Sequence, residues 1–352
     1  MRQGGPAPAR PVSAVQGRRA ADGGPLPLPP ARIVAPEIDG PEDVVADADG
    51  NVLAGAADGT IWRVRLPDAG AADRAARSAR AEVVGHTGGR PLGLHPLPGG
   101  ELLVCDAYRG LLQLTTGDGT VRVLADEAAG EPLRFCSNVT AAPDGTVYFT
   151  VSSRRYGLDE WPGDIVEHLG TGRLLRLRPG GRPEVLLSGL QFANGVALAP
   201  DGSFLLVAET GARRLRRYRL TGPRAGHCEL LAADLPGYPD NISLADDGVF
   251  WVALAGPRQP ALELVHALPH PVRRAAWRAM RRVRPVPPPH PTVRVLGLRP
   301  DGHRVWDLRA ARSPYRMVTA VCRTGSRLVL ASVVQRGMAV CALPGAESLT
   351  GH

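Results

Sequence analysis

The stretch 192-FANGVALAPDGSFLLVAETGARRLRRYRL-220 decides the fold. Pro200-Asp201-Gly202 is turn chemistry, because Asp and Gly tolerate the backbone conformations of a tight reversal. Apolar runs flank the turn, and Thr210-Gly211 opens a second turn before another strand-like run. Short strands joined this way make an antiparallel meander. The signature recurs at Gly50 ("DADGNVLAG"), Gly100 ("LPGGELLVCD"), Gly145 ("APDGTVYFT"), Gly248 ("ADDGVFWVAL") and Gly325 ("RTGSRLVLAS"). Successive turn glycines lie 50, 45, 57, 46 and 77 residues apart. A period near 50 with several strands per repeat is the mark of a propeller blade. Six marks predict an all-β, six-bladed β-propeller over residues 31–345. Two unrelated β-sandwiches would not repeat one turn signature six times.

The long fifth gap holds 260-PALELVHALPHPVRRAAWRAMRRVRPVPPPHP-291. Leu262, Val265, Leu268, Val272 and Trp277 mark helical pieces broken at Pro269 and Pro271. The segment is expected to be a partly helical insertion between blades five and six. Two roles stay open for it, a lid over one face or a basic helix packed on the rim.

Composition removes other classes. No stretch approaches the ~20 apolar residues of a membrane-spanning helix. Residues 1–30 are rich in Pro, Gly, Ala and Arg and lack an apolar signal core, so a mobile leader is expected there. The net charge is +8, yet all 42 basic residues are arginine and aromatics make up only 5%. That resembles compositional bias more than a nucleic-acid footprint with stacking platforms, so no nucleic-acid partner is expected. The lack of lysine excludes a lysine Schiff base. Five scattered cysteines with no CxxC pair argue against a disulfide framework or zinc site, and a cytoplasmic location is the expectation.

Counting back from the turn glycines finds the start of each blade's innermost strand, which lines the channel. Glu42, Asn194 and Asp240 stand eight residues before Gly50, Gly202 and Gly248, and Asn138 stands seven before Gly145. The matching places in blades two and six hold Leu92 and Met317. Any one of the four oxygen-bearing residues would more often be a turn residue than a ligand. Four in register, with two carboxylates and two amides, point to a hard divalent cation, and calcium suits all-oxygen ligation best. With no His or Cys in the ring, zinc and copper are disfavoured.

The segments "RPLGLHPLPGGELLVCDAYRGLLQL", "FANGVALAPDGSFLLVAETGARRLRRYRL" and "GYPDNISLADDGVFWVAL" resemble the strictosidine synthase-like branch of the gluconolactonase, regucalcin and paraoxonase superfamily. The resemblance runs from about Ile38 to Leu343. It implies a six-bladed propeller whose channel holds calcium or a similar ion on Glu42, Asn138, Asn194 and Asp240, with Asn241 nearby as a substrate-binding candidate. Two departures stand out. The glutamate that plant strictosidine synthase uses in its last blade has no counterpart in "YRMVTAVCRTG", where Ala320 and its neighbours supply no acid. The paraoxonase histidine position falls near Leu92, and His86 and His95 lie outside it.

These residues suggest a chemistry. A channel cation acts as Lewis acid on an ester, lactone or phosphoester oxygen, with Asp240 as base or nucleophile. Arg90 and Tyr108 are placed to hold substrate oxygen or a leaving group; equally, Arg90 neutralises a neighbouring blade and Tyr108 fills the core. Glu209 reads as structural. The first expectation is a calcium-dependent hydrolase of lactones or esters acting on a small molecule. A non-hydrolytic cyclase or condensing enzyme on a natural-product intermediate and a non-catalytic ligand-binding propeller are the alternatives. Oligomeric state is not legible.

Overall fold

The computed structural model describes residues 24–67, 79–283 and 289–344. Each expected turn forms as its residues dictate. In the "APDG" turn the Asp144 carboxylate accepts the Thr146 N–H at 2.9 Å while Gly145 takes φ +81°. Asp201 and Asp247 accept from Ser203 and Val249 in the same way.

Six antiparallel four-strand meanders follow, ordered from channel to rim. Blade 1 is Val44–Ala46, Val52–Gly55, Thr60–Arg65 and Arg80–His86. Blade 2 is Pro91–Leu97, Glu101–Asp106, Gly110–Thr115 and Val121–Ala125. Blade 3 is Cys136–Ala141, Val147–Val151, Gly172–Leu177 and Glu184–Leu190. Blade 4 is Ala193–Leu198, Phe204–Glu209, Arg214–Arg219 and Cys228–Ala232. Blade 5 is Gly237–Leu244, Phe250–Pro257, Val293–Leu298 and Arg304–Ala310. Blade 6 is Val318–Thr324, Arg327–Ser332 and Arg336–Ala342, and its outer strand, Arg32–Asp39, comes from the start of the chain. That last pairing closes the ring, with Ile33 opposite Ala339. Each innermost strand keeps one edge toward the channel, the short, protected kind of edge that a propeller leaves.

The core lies between blades. Leu206 and Ala208 of blade 4 pack on Phe250 and Val252 of blade 5. Cys105 and Leu111 of blade 2 pack on Val139 and Phe149 of blade 3. All five cysteines are free.

Two expectations change. Of the leader expected over residues 1–30, residues 1–23 lie outside the described residues. Its end is fastened: Leu26–Pro27 pairs in parallel with the outer strand of blade 5, Leu26 opposite Leu308. The insertion lies late in the propeller, but inside blade 5, between its second and third strands, and not between blades five and six. The Gly248-to-Gly325 gap could not separate these places, because both connections fall within it. The correction keeps the face: in a four-strand meander the second-to-third connection lies on the side where the innermost strand begins.

Helix α1 (Trp161–Glu167) occupies the corresponding connection of blade 3. The blade 5 insertion supplies α2 (Pro260–His266) and α3 (His270–Val283). Pro271 does not break α3; it sits in the first turn, where its missing N–H costs nothing. Leu262, Val265 and Trp277 turn inward, whereas Leu268 and Val272 are exposed.

Candidate functional site

Close approach of the innermost strands makes the site. A Cβ on Gly93 would sit 2.4 Å from the Asn138 Cα, and one on Gly195 would sit 2.5 Å from the Ile242 nitrogen. Only glycine lets blade 2 meet blade 3, and blade 4 meet blade 5, this tightly beside the channel.

Glu42, Asn138, Asn194, Asp240 and Asn241 are all buried and share one polar network. The Asn241 amide donates to both Glu42 oxygens at 3.2 and 3.1 Å. Asn138 donates to the Asn241 oxygen at 3.1 Å, and its own oxygen accepts the Val196 N–H at 3.0 Å. Ser137 donates to the Asn194 oxygen at 3.1 Å. Hydroxyls brace the backbone beneath: Thr150 donates to the Asn194 carbonyl, Thr210 to Pro239 and Thr319 to Glu42, at 2.7, 2.7 and 2.6 Å. Residues from blades 1, 3, 4 and 5 therefore meet at one place.

The electrostatics are unfavourable for anions alone. Burial pushes the Glu42 carboxyl from 4.5 up to about 7, despite the Asn241 bonds and the nearby Arg90 charge. Burial also raises Asp240 well above the usual carboxylate range, and the charges of Glu42 and Asp43 add to this. Asp240 Oδ1 is buried without a hydrogen-bond partner. An orphaned carboxylate oxygen in such a place is the feature a cation would satisfy. Among the described residues no group of three or more His, Cys, Asp and Glu side chains could hold a metal. The donor set that fits calcium is thus mixed, two carboxylates with neutral amide oxygens, which is hard-cation chemistry.

Arg90 is buried, and its guanidinium donates to the Gly40 carbonyl at 2.7 Å. It stabilises the turn before Glu42 and supplies the neighbouring positive charge. Tyr108 is 56% exposed and donates to Asp159 at 3.1 Å, so it neither fills the core nor reaches the carboxylates. Glu209 is fully buried between Arg214 and Arg216, a structural clamp. Ala320 belongs to a core cluster, and Leu92 lies under the helices.

A family model for strictosidine synthase matches residues 137–223, and one for the strictosidine synthase-like N-terminal region matches residues 30–64. Protein STRICTOSIDINE SYNTHASE-LIKE 6 of Arabidopsis thaliana is 39% identical over 220 residues, 62% of this chain and 57% of that protein. Adipocyte plasma membrane-associated protein of Gallus gallus is 34% identical over 233 residues, 62% of this chain and 54% of its own length. The chain thus spans less than two thirds of these curated relatives. Over these segments the chain is similar to the strictosidine synthase-like family.

Solved structures share the fold. A gluconolactonase from Xanthomonas campestris matches with a TM-score of 0.62 at 15% identity, covering 96% of this chain and 99% of that chain. The calcium-binding protein regucalcin from Agrobacterium tumefaciens gives a TM-score of 0.60 at 15% identity, covering 90% and 94%. At such identities the likeness is one of fold alone.

The propeller also shows what the sequence did not reveal. Asp43, next to Glu42, is buried and accepts the Val44 and Leu94 N–H groups at 2.8 and 2.9 Å. The tandem acids of "GPEDVV" were the available signal. Phe135 and Phe192 have φ +60° and +58°, a strained conformation for bulky residues, and their rings meet edge to face at 5.4 Å. They cluster with Leu92, Ala107 and Ile165, against which Leu262 packs, so an apolar roof stands where the innermost strands begin. Nothing in the local sequence announces that roof.

Proposed function

We propose that the protein is a calcium-dependent hydrolase of lactones or esters, working at the channel network. The observation that carries this reading is the orphaned Oδ1 of buried Asp240 beside Glu42. Glu42, Asn138, Asn194 and Asp240 would hold the ion, with Asn241 beside them. When bound, calcium supplies Lewis acidity toward a carbonyl or phosphoryl oxygen. Asp240 has a free oxygen to take the proton of an attacking water. Asn241 holds Glu42 oriented, and Arg90 partly offsets the cost of its buried charge. The phenylalanine roof excludes bulk water, which strengthens every charge interaction beneath it. The gluconolactonase and regucalcin likenesses in fold agree with this reading and do not name a substrate.

The test is a panel of lactones and aryl esters assayed with and without chelator. Turnover that chelator abolishes and calcium restores supports the proposal. Chelator-insensitive turnover, or none on any member, contradicts it. A condensing enzyme is the second reading, favoured by the strictosidine synthase match over residues 137–223. Product formed from an amine and an aldehyde, with no ester turnover, would decide for it.

A further inference from the structure

A cavity of about 240 Å³ opens in the helical cover, between the blade 3 insertion and α3. Arg155, Tyr156 and Glu167 line one side; Arg274, Trp277, Arg278 and Arg281 line the other. The charges do not balance. Glu167, 1% exposed, faces Arg155 at 3.3 Å, with the His270 ring at 3.6 Å. Arg281 pairs with Glu160 at 2.7 Å. Arg274 and Arg278 have no ion-pair or hydrogen-bond partner among the described residues.

These two arginines stand four residues apart on one helical face, where like charges repel. Residues 270–283 (HPVRRAAWRAMRRV) contain no acid to offset them. The Tyr156 and Trp277 rings, edge to face at 6.1 Å, form an apolar wall beside them.

We propose that this cavity binds a small phosphate-bearing ligand, held by Arg274 and Arg278 with Arg155 opposite. Guanidinium forks match phosphate oxygens two at a time, and a doubly charged anion offsets the two unpaired cations. The cavity is smaller than the ~300–1,000 Å³ of typical organic-ligand pockets, so the ligand is small. The occupant bridges two chain segments, because Arg155 belongs to the blade 3 insertion and the other two to the blade 5 insertion. It would pin together the helices that cover the channel.

Isothermal titration of inorganic phosphate into the full chain tests this, at fixed ionic strength and with chelator present. Those conditions make the readout independent of the channel ion and of any turnover. One saturable site per chain is expected. Arg274→Ala/Arg278→Ala should weaken it about tenfold or more, while Arg282→Ala, exposed and outside the cavity, should bind as wild type. Arg278→Gln, at an exposed position, gives a single-site check should the double variant fold poorly, and it too should weaken binding. Absence of saturable binding, or equal binding by folded cavity variants, overturns the proposal.

Discussion

Asp240 and Glu42 are both buried carboxylates, yet their surroundings separate their roles. Asn241 donates to both oxygens of Glu42, whereas Asp240 keeps one oxygen unpartnered. Asp240→Asn keeps size and an oxygen donor but removes the basic lone pair. It should fold normally and lose turnover about 10²-fold or more, the scale of a lost general base. Glu42→Gln should weaken calcium binding, with activity recovered at high calcium. Equal rates for Asp240→Asn and wild type at saturating calcium would remove Asp240 from the mechanism. A pH effect follows from the same burial. Glu42 titrates near 7 in the folded chain against 4.5 ordinarily, so the folded state binds more protons between those values. In metal-stripped protein its contribution to stability is therefore full below about 4.5 and lost as pH rises through 7. Relative to Glu42→Gln, which has no carboxyl to titrate, the thermal midpoint of stripped wild type should fall with pH across that window, and added calcium should flatten the fall. A difference that rises with pH in stripped protein would contradict the placement of this carboxylate.

Among the elements, the insertion is the one whose role the kinetics would reveal. Leu262 on α2 packs against both the phenylalanine roof and the Tyr156–Val166–Trp277 cluster. Leu262→Asp would put a charge into that apolar contact at a cost of about 2 kcal/mol or more. Proteolysis within residues 260–283 should then speed up and KM should change, while the global thermal midpoint barely moves. A large fall in midpoint with unchanged kinetics would make the insertion rim packing. The sequence disclosed these helices through Leu262, Val265 and Trp277, which do face inward. It could not disclose their connection point, because the strand 2-to-3 and blade 5-to-6 connections fall in the same gap. Nor could it disclose the roof: Phe135 and Phe192 adopt positive φ with no glycine to mark it. The polar ring positions were legible because turn glycines count back to strand starts, a spacing that the meander enforces. Tyr108 was not, since its direction depends on Asp159 in a different insertion.

Closure of the whole ring depends on one strand from the start of the chain. Arg32–Asp39 completes blade 6 and buries Val34, Ala35 and Ile38. Removing residues 24–40 strips roughly 1.5–3 kcal/mol for each large apolar side chain, together with a full ladder of hydrogen bonds. It should abolish cooperative unfolding or lower the midpoint steeply. Removing only residues 24–30 gives up the short Leu26–Pro27 pairing and should cost far less. Similar midpoints for the two truncations would contradict closure by this strand. The closed ring is also what brings Glu42 of blade 1 against Asn241 of blade 5, 199 positions apart in the chain. The most direct measurement is calcium titrated into metal-stripped protein, wild type against Glu42→Gln/Asp240→Asn. Wild type should bind one ion per chain, and the folded double variant should bind about 10²-fold more weakly or not at all; no binding by wild type, or equal binding by both, would contradict a cation held by these two carboxylates.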